Sequence, residues 1–130
     1  HFAPHCSSNL LAKNVLQDEA KSIFAGLIKV DPKAQQTNAL QTNRNLLLSR
    51  DAEADSLPGL EILANDVRCT HGATTSRLNQ EELFYLLSRG IDKKSAESLI
   101  SLGFLEEIIG KIQDEELTQR IREMVYTHFK

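Results

Sequence analysis

Hydrophobic and polar positions along this chain follow two rhythms, and the change falls near Arg77. Before it, short apolar runs alternate with polar punctuation, a strand-like pattern. Ile23-Phe24-Ala25-Gly26-Leu27-Ile28-Lys29-Val30 reads as a strand closed by the turn-forming Asp31-Pro32. Ala34 to Ala39, Leu46 to Ser49 and Leu60 to Ala64 are further short runs, and Pro58-Gly59 reads as a turn. Asp51 to Asp55 alternates small apolar with acidic residues, and Val67 to Ala73 forms the last run. Small residues and interspersed Asn and Gln suggest stacked coils whose polar side chains bond along rows, as in a parallel β-helix. An antiparallel sandwich fits the same pattern, and no clean internal repeat decides between them.

After Arg77 the period becomes helical. Asn79 followed by Glu82 resembles a capping box, and Leu83, Leu86 and Leu87 share one face with Phe84 beside it. Arg89-Gly90 is a stop signal, and Asp92 caps a second helix whose stripe is Ala96, Leu99, Ile100 and Gly103. Phe104, Leu105, Ile108, Ile109 and Ile112 continue that period. A last helix is expected from near Asp114 to near His128, its apolar face built from Leu117, Ile121, Met124 and Val125. The expected organisation is a mainly β part over residues 1–77 and a small C-terminal helical region over 78–130.

Composition narrows the function classes. Hydrophobic residues make up 41% of the chain and charged ones 25%, but aromatics only 5%, so the core must come from Leu, Ile, Val and Ala. Formal net charge is -3 without a basic stripe, which speaks against nucleic-acid binding. No apolar run approaches the span of about 20 residues that a membrane helix needs, and no signal peptide is visible. The chain begins at His1 in mid-pattern, so a piece of a longer protein is expected, its first strands needing cover.

Candidate chemistry centres on Cys69 and His71. At i and i+2 in a strand they point to one side, offering a thiolate and an imidazole to a soft metal or an iron–sulfur cluster. A Cys–His nucleophile pair is the alternative, which would make the chain a metal- or thiol-dependent enzyme; a small buried cysteine is the plain structural one. Two ligands are fewer than the four of a closed site, so a partner would have to complete the set. His5 and Cys6 are adjacent and point to opposite faces. Two distant cysteines form no disulfide framework and suit a reducing compartment, although one bridge between them stays open. There is no phosphate-binding glycine loop, no Walker lysine and no G-x-S-x-G elbow, so no self-contained catalytic apparatus is legible.

Several segments, in this order and spacing, resemble one family. They are Pro4-His5-Cys6-Ser7-Ser8-Asn9, Ala34-Gln35-Gln36-Thr37-Asn38-Ala39 with Gln41 and Asn43, and Asn45-Leu46-Leu47-Leu48-Ser49. Leu60-Glu61-Ile62, Asp66 to Thr74, Leu83-Phe84-Tyr85-Leu86, Ser88-Arg89-Gly90-Ile91 and Gly103-Phe104 follow. Together they resemble the SufB/SufD family of iron–sulfur cluster assembly scaffolds, and Cys69-Thr70-His71-Gly72 is similar to the SufD-type pattern. The resemblance implies a right-handed parallel β-helix, here its C-terminal coils, followed by the helical region. It implies a scaffold without catalysis of its own, in the bacterial cytoplasm or the plastid stroma. The implied partners are a SufB-like paralogue or a second copy, and a SufC-like ABC ATPase. His71, with Cys69 in a lesser role, would hold a nascent iron–sulfur cluster transiently, shared with the partner, and the isolated chain would bind no cofactor. Leu83, Phe84, Tyr85, Arg89 and Gly90 are the candidates for docking the ATPase.

Overall fold

The structure, a computed structural model, describes residues 1–129. Five strands of ten residues come first: β1 Ser7–Leu16, β2 Lys21–Val30, β3 Asn38–Leu47, β4 Glu53–Ile62 and β5 Arg68–Arg77. Helices α1 Gln80–Ser88, α2 Lys93–Ile109 and α3 Glu115–His128 follow. Successive strands alternate between two sheets, one ordered β1-β3-β5 and the other β2-β4. Every pairing is parallel and without a register break over its ten residues.

The expected right-handed parallel β-helix is corrected by this arrangement. Among the described residues the strands form two open parallel sheets, and three helices complete a small α/β fold with no closed or solenoid β-helix. The antiparallel sandwich fails as well, because no pair is antiparallel. The physical reason lies in what the pattern constrains. Rows of small residues and interior amides require parallel neighbours and a facing sheet, and two open sheets meet that requirement without coils closing around a third wall.

Two local readings also change. Pro58-Gly59 lies inside β4 and is not a turn. Sheet β2-β4 has only two strands, so β4 has a free edge, where a proline's missing N–H costs no ladder bond. In the helices the caps fall at Asn79, Asp92 and Asp114, but parts of the stripes face outward. Leu99, Leu117 and Met124 are exposed, whereas Ser98, Ser101 and Thr118 are buried. Their hydroxyls bond back to the carbonyls of Lys94, Glu97 and Asp114, which makes a small polar side chain cheap to bury on a helix.

Two apolar clusters hold the molecule together. Ile28, Val30, Ala34, Ala39 and Ala64 fill the space between the sheets near the ends of β2 and β4. Leu78, Leu83 and Ala96 join α1 and α2 to Leu48 at the end of β3. Polar contacts do the rest. Lys13 on β1 donates to the Phe104 carbonyl at 2.7 Å, pairs with Glu107 at 2.6 Å and lies 4.6 Å from the Phe104 ring centroid. Arg44 on β3 reaches the same carboxylate at 3.0 Å, and Arg122 of α3 pairs with Glu106 of α2. These bonds pull Glu106 and Glu107 below the usual carboxylate range, chiefly through the Arg122 and Lys13 hydrogen bonds.

Candidate functional site: the inner face of the last strand

Strand parity decides which side chains face the second sheet. Ala39, Gln41, Asn43, Asn45 and Leu47 of β3 are all buried, and the Asn43 and Asn45 amides donate to Ser56 Oγ on β4 at 2.8 and 3.2 Å. This parity of β3 is therefore the inner one. Register then carries it across the sheet in rows: Ser8–Ala39–Cys69, Leu10–Gln41–His71, Ala12–Asn43–Ala73 and Asn14–Asn45–Thr75. Cys69 and His71 consequently point inward from β5, one above the other, as their spacing predicts.

The rows below them are knitted by amides. Asn14 Nδ2 donates to Asn45 Oδ1 at 2.8 Å and to Asn43 Oδ1 at 3.2 Å. Asn45 Nδ2 reaches Thr75 Oγ1 at 3.2 Å, so the network climbs from β1 to β5. Such a network, with its members satisfied, fixes register as well as stability. The interspersed Asn and Gln predict side chains that bond along rows, and Asn43 and Asn45 do so here. Their period-two placement at inner positions is the signal that marks them as a ladder.

β5 ends its sheet, and the opposite sheet stops at β4. Its inner face is covered only in part, by β4 and by the apolar cluster at its start. Cys69 is half-buried against the Val30 and Ala39 cluster, while His71 is exposed. Cys6 and Cys69 are both free thiols. Among the described residues no group of three or more His, Cys, Asp or Glu is placed to hold a metal ion, so the thiol and imidazole stand as an incomplete donor set. His5 lies in the turn before β1 with φ 58°, away from that set in the register.

The second group of candidates lies on α1. Leu83 is 7% exposed and belongs to the core cluster, so it holds the helix in place and is not available to a partner. Phe84 and Tyr85 are 72% and 55% exposed. The Arg89 guanidinium stacks 5.1 Å from the Tyr85 ring centre, and Gly90 takes φ 84°, the left-handed value that a helix stop favours. A shallow groove lined by Asn79, Glu81, Glu82, Tyr85, Leu86 and Ile100 runs beside them. Among the described residues no helix is long and apolar enough to cross a membrane.

Comparison with known proteins agrees with the motif reading. The sequence model of the family described as "SUF system FeS cluster assembly, SufBD core domain" matches residues 1–104. The iron–sulfur cluster assembly protein SufD of Escherichia coli is 41% identical over 121 residues, 93% of this chain and 29% of that protein. An iron–sulfur cluster assembly SufBD family protein of Synechocystis is 42% identical over 122 residues, 94% of this chain and 27% of its own length. SufD of Bacillus subtilis is 36% identical over 121 residues, 93% of this chain and 28% of that protein. The chain thus spans a little over a quarter of the length of the relatives it matches. With the match covering the β5 segment and α1 together, this chain belongs to the SufBD core domain family.

Proposed function

We propose that this chain is the partner-facing part of a scaffold subunit in iron–sulfur cluster assembly. In this reading it pairs along β5 with a SufB-like paralogue, or with a second copy, and recruits a SufC-like ABC ATPase through α1 and the start of α2. The nascent cluster is cargo, held transiently between two polypeptides.

One observation carries the reading. Cys69 and His71 sit on one face of an edge strand, the thiol half-buried and the imidazole exposed. A soft thiolate and an imidazole suit iron or a cluster edge, but two donors cannot enclose it. A second polypeptide laid against β5 supplies the missing ligands and pairs the free strand edge at the same time. The names of the relatives, iron–sulfur cluster assembly proteins, support the cargo. On α1, two exposed aromatics side by side are the kind of anchor that interfaces use, and Arg89 stiffens Tyr85.

The test uses the full-length protein with its SufB-like partner and ATPase. His71→Ala should abolish the visible charge-transfer absorbance of an assembled cluster, and Cys69→Ala should reduce it, while all three chains still co-purify. Phe84→Ala should weaken retention of the ATPase alone, by about tenfold for a lost aromatic anchor of 1–2 kcal/mol. Undiminished cluster formation by His71→Ala would refute the proposal.

A further inference from the structure

The row that contains His71 holds an unusual neighbour. Gln41 lies beside it in register on β3, on the same inner face, and is 2% exposed. Its amide nitrogen Nε2 has no hydrogen-bond partner, and it is the only buried side-chain nitrogen or oxygen among the described residues in that condition. The amide rests against Gly26 of β2. A Cβ at Gly26 would stand 2.8 Å from Gln41 Cδ, so the glycine is what makes room for it.

Consider what could satisfy that amide. Its row mate on β1 is Leu10. On the facing sheet Gly26 pairs with Pro58. None of these three has a polar side chain. Within this row and its facing pair, His71 has the one other polar side chain, and its imidazole can accept from, or donate to, a carboxamide. Adjacent strands lie about 4.8 Å apart, within the reach of a glutamine. Leaving a buried amide unpaired costs about 1–3 kcal/mol, so a ring turned inward relieves a standing penalty.

We infer that Gln41 is the positioning residue for His71, holding its inward ring nitrogen and thereby choosing what the outward nitrogen presents to a partner. With Nε2 towards the ring, Gln41 donates to the inward lone pair, and the outward nitrogen carries the proton. After a half-turn of the amide, Oε1 accepts from the inward N–H, and the outward nitrogen offers its lone pair to a metal. Histidine ligands commonly depend on such a partner behind the ring, whose loss lowers metal affinity ten- to a hundredfold. The inference rests on the proposal that His71 handles the cluster, but its tautomer can be measured without any cluster.

The experiment labels the histidines of the full-length protein with 15N and reads the tautomer of the neutral His71 ring from its nitrogen shifts. Wild type should show one dominant tautomer. Gln41→Met keeps the shape and removes both polar atoms, so it should give the ordinary mixture. Gln41→Glu, as a carboxylate that only accepts, should enforce the form with the lone pair outward. Gly26→Ala displaces the amide without removing it and should match Gln41→Met. In cluster assembly from ferrous iron and sulfide with the SufB-like partner, Gln41→Met should cut the yield about tenfold and Gln41→Glu should restore it. A merely structural glutamine would move the melting temperature and leave the tautomer alone. A wild-type ring that already shows the ordinary mixture overturns the inference, whichever variants fold. Should His71→Ala assemble clusters normally, the cluster role fails, and Gln41 is still judged by the nitrogen shifts alone.

Discussion

At the scale of single residues, the interior of this protein is decided by amides as much as by methyl groups. Asn43 and Asn45 are each 1% exposed and sit where an apolar side chain would ordinarily stand. Asn45 is the central member, accepting from Asn14 and donating to Ser56 and Thr75. Asn45→Ala removes the side-chain bonds from β3 to Asn14, Ser56 and Thr75, keeps the backbone ladders and leaves a small void. Its expected cost is about 2–3 kcal/mol, from unpaired buried groups plus the cavity. Urea unfolding of the variant measures it, and a change below about 0.5 kcal/mol, the surface-substitution level, shows the ladder to be incidental. Cys69 and His71 share the same parity, so their same-side placement was readable from an i, i+2 spacing. Exposure of His71 was not readable, because it depends on how much of β5 the facing sheet covers.

At the scale of elements, the helices carry their own start signals. The Asn79 side chain accepts from the backbone N–H of Glu81 at 2.9 Å and of Glu82 at 3.4 Å. Asp92 accepts from Ser95 and Asp114 from Leu117, which is why all three starts were legible in the sequence. The Ser95 bonds lower the Asp92 carboxyl below its usual range. Asn79→Ala should destabilise the helical region by about 1 kcal/mol and fray the first turn of α1. Amide exchange at Glu81 and Glu82 is the direct reading, and protection equal to wild type contradicts the assignment. The outward turn of Leu99, Leu117 and Met124 escaped the periodicity because a stripe records where apolar residues are, not which of them another element covers.

At the scale of the molecule, strands and helices are fastened by different chemistry. The sheets are joined by neutral amides and apolar side chains. Much of the bond between helices and sheet is ionic, through Lys13, Arg44 and Glu107, and α3 is tied to α2 by Glu106 and Arg122. Both glutamates have depressed folded-state values. Their contribution is therefore complete above the unfolded carboxylate value of about 4.3 and is lost as pH falls through the lower folded values. Acid should loosen α2 and α3 before the sheets. Hydrogen exchange compared between pH 7 and pH 3, after correction for intrinsic rates, should show protection falling first in residues 93–128. Simultaneous loss in strands and helices would remove the distinction. Neither these pairings nor the exposed apolar face of sheet β2-β4, with Ile23, Leu27 and Leu57 between the Lys21–Glu53 and Lys29–Glu61 pairs, has a one-dimensional signature.

The sequence by itself determined the split between a strand half and a helical half, two helix caps and the start of the third helix, the same-side thiol and imidazole, and the family. All of these are written in short-range spacing or in residues that stand at fixed intervals. Tertiary structure alone decided that the strands make two open parallel sheets instead of a closed coil, that Pro58 sits in a free-edged strand, and that Leu83 is inside while Phe84 is outside. It also decided that Gln41 is buried beside His71 without a partner for its nitrogen. These depend on which face meets which neighbour, a property of packing between distant segments that no local pattern of hydrophobic and polar residues contains.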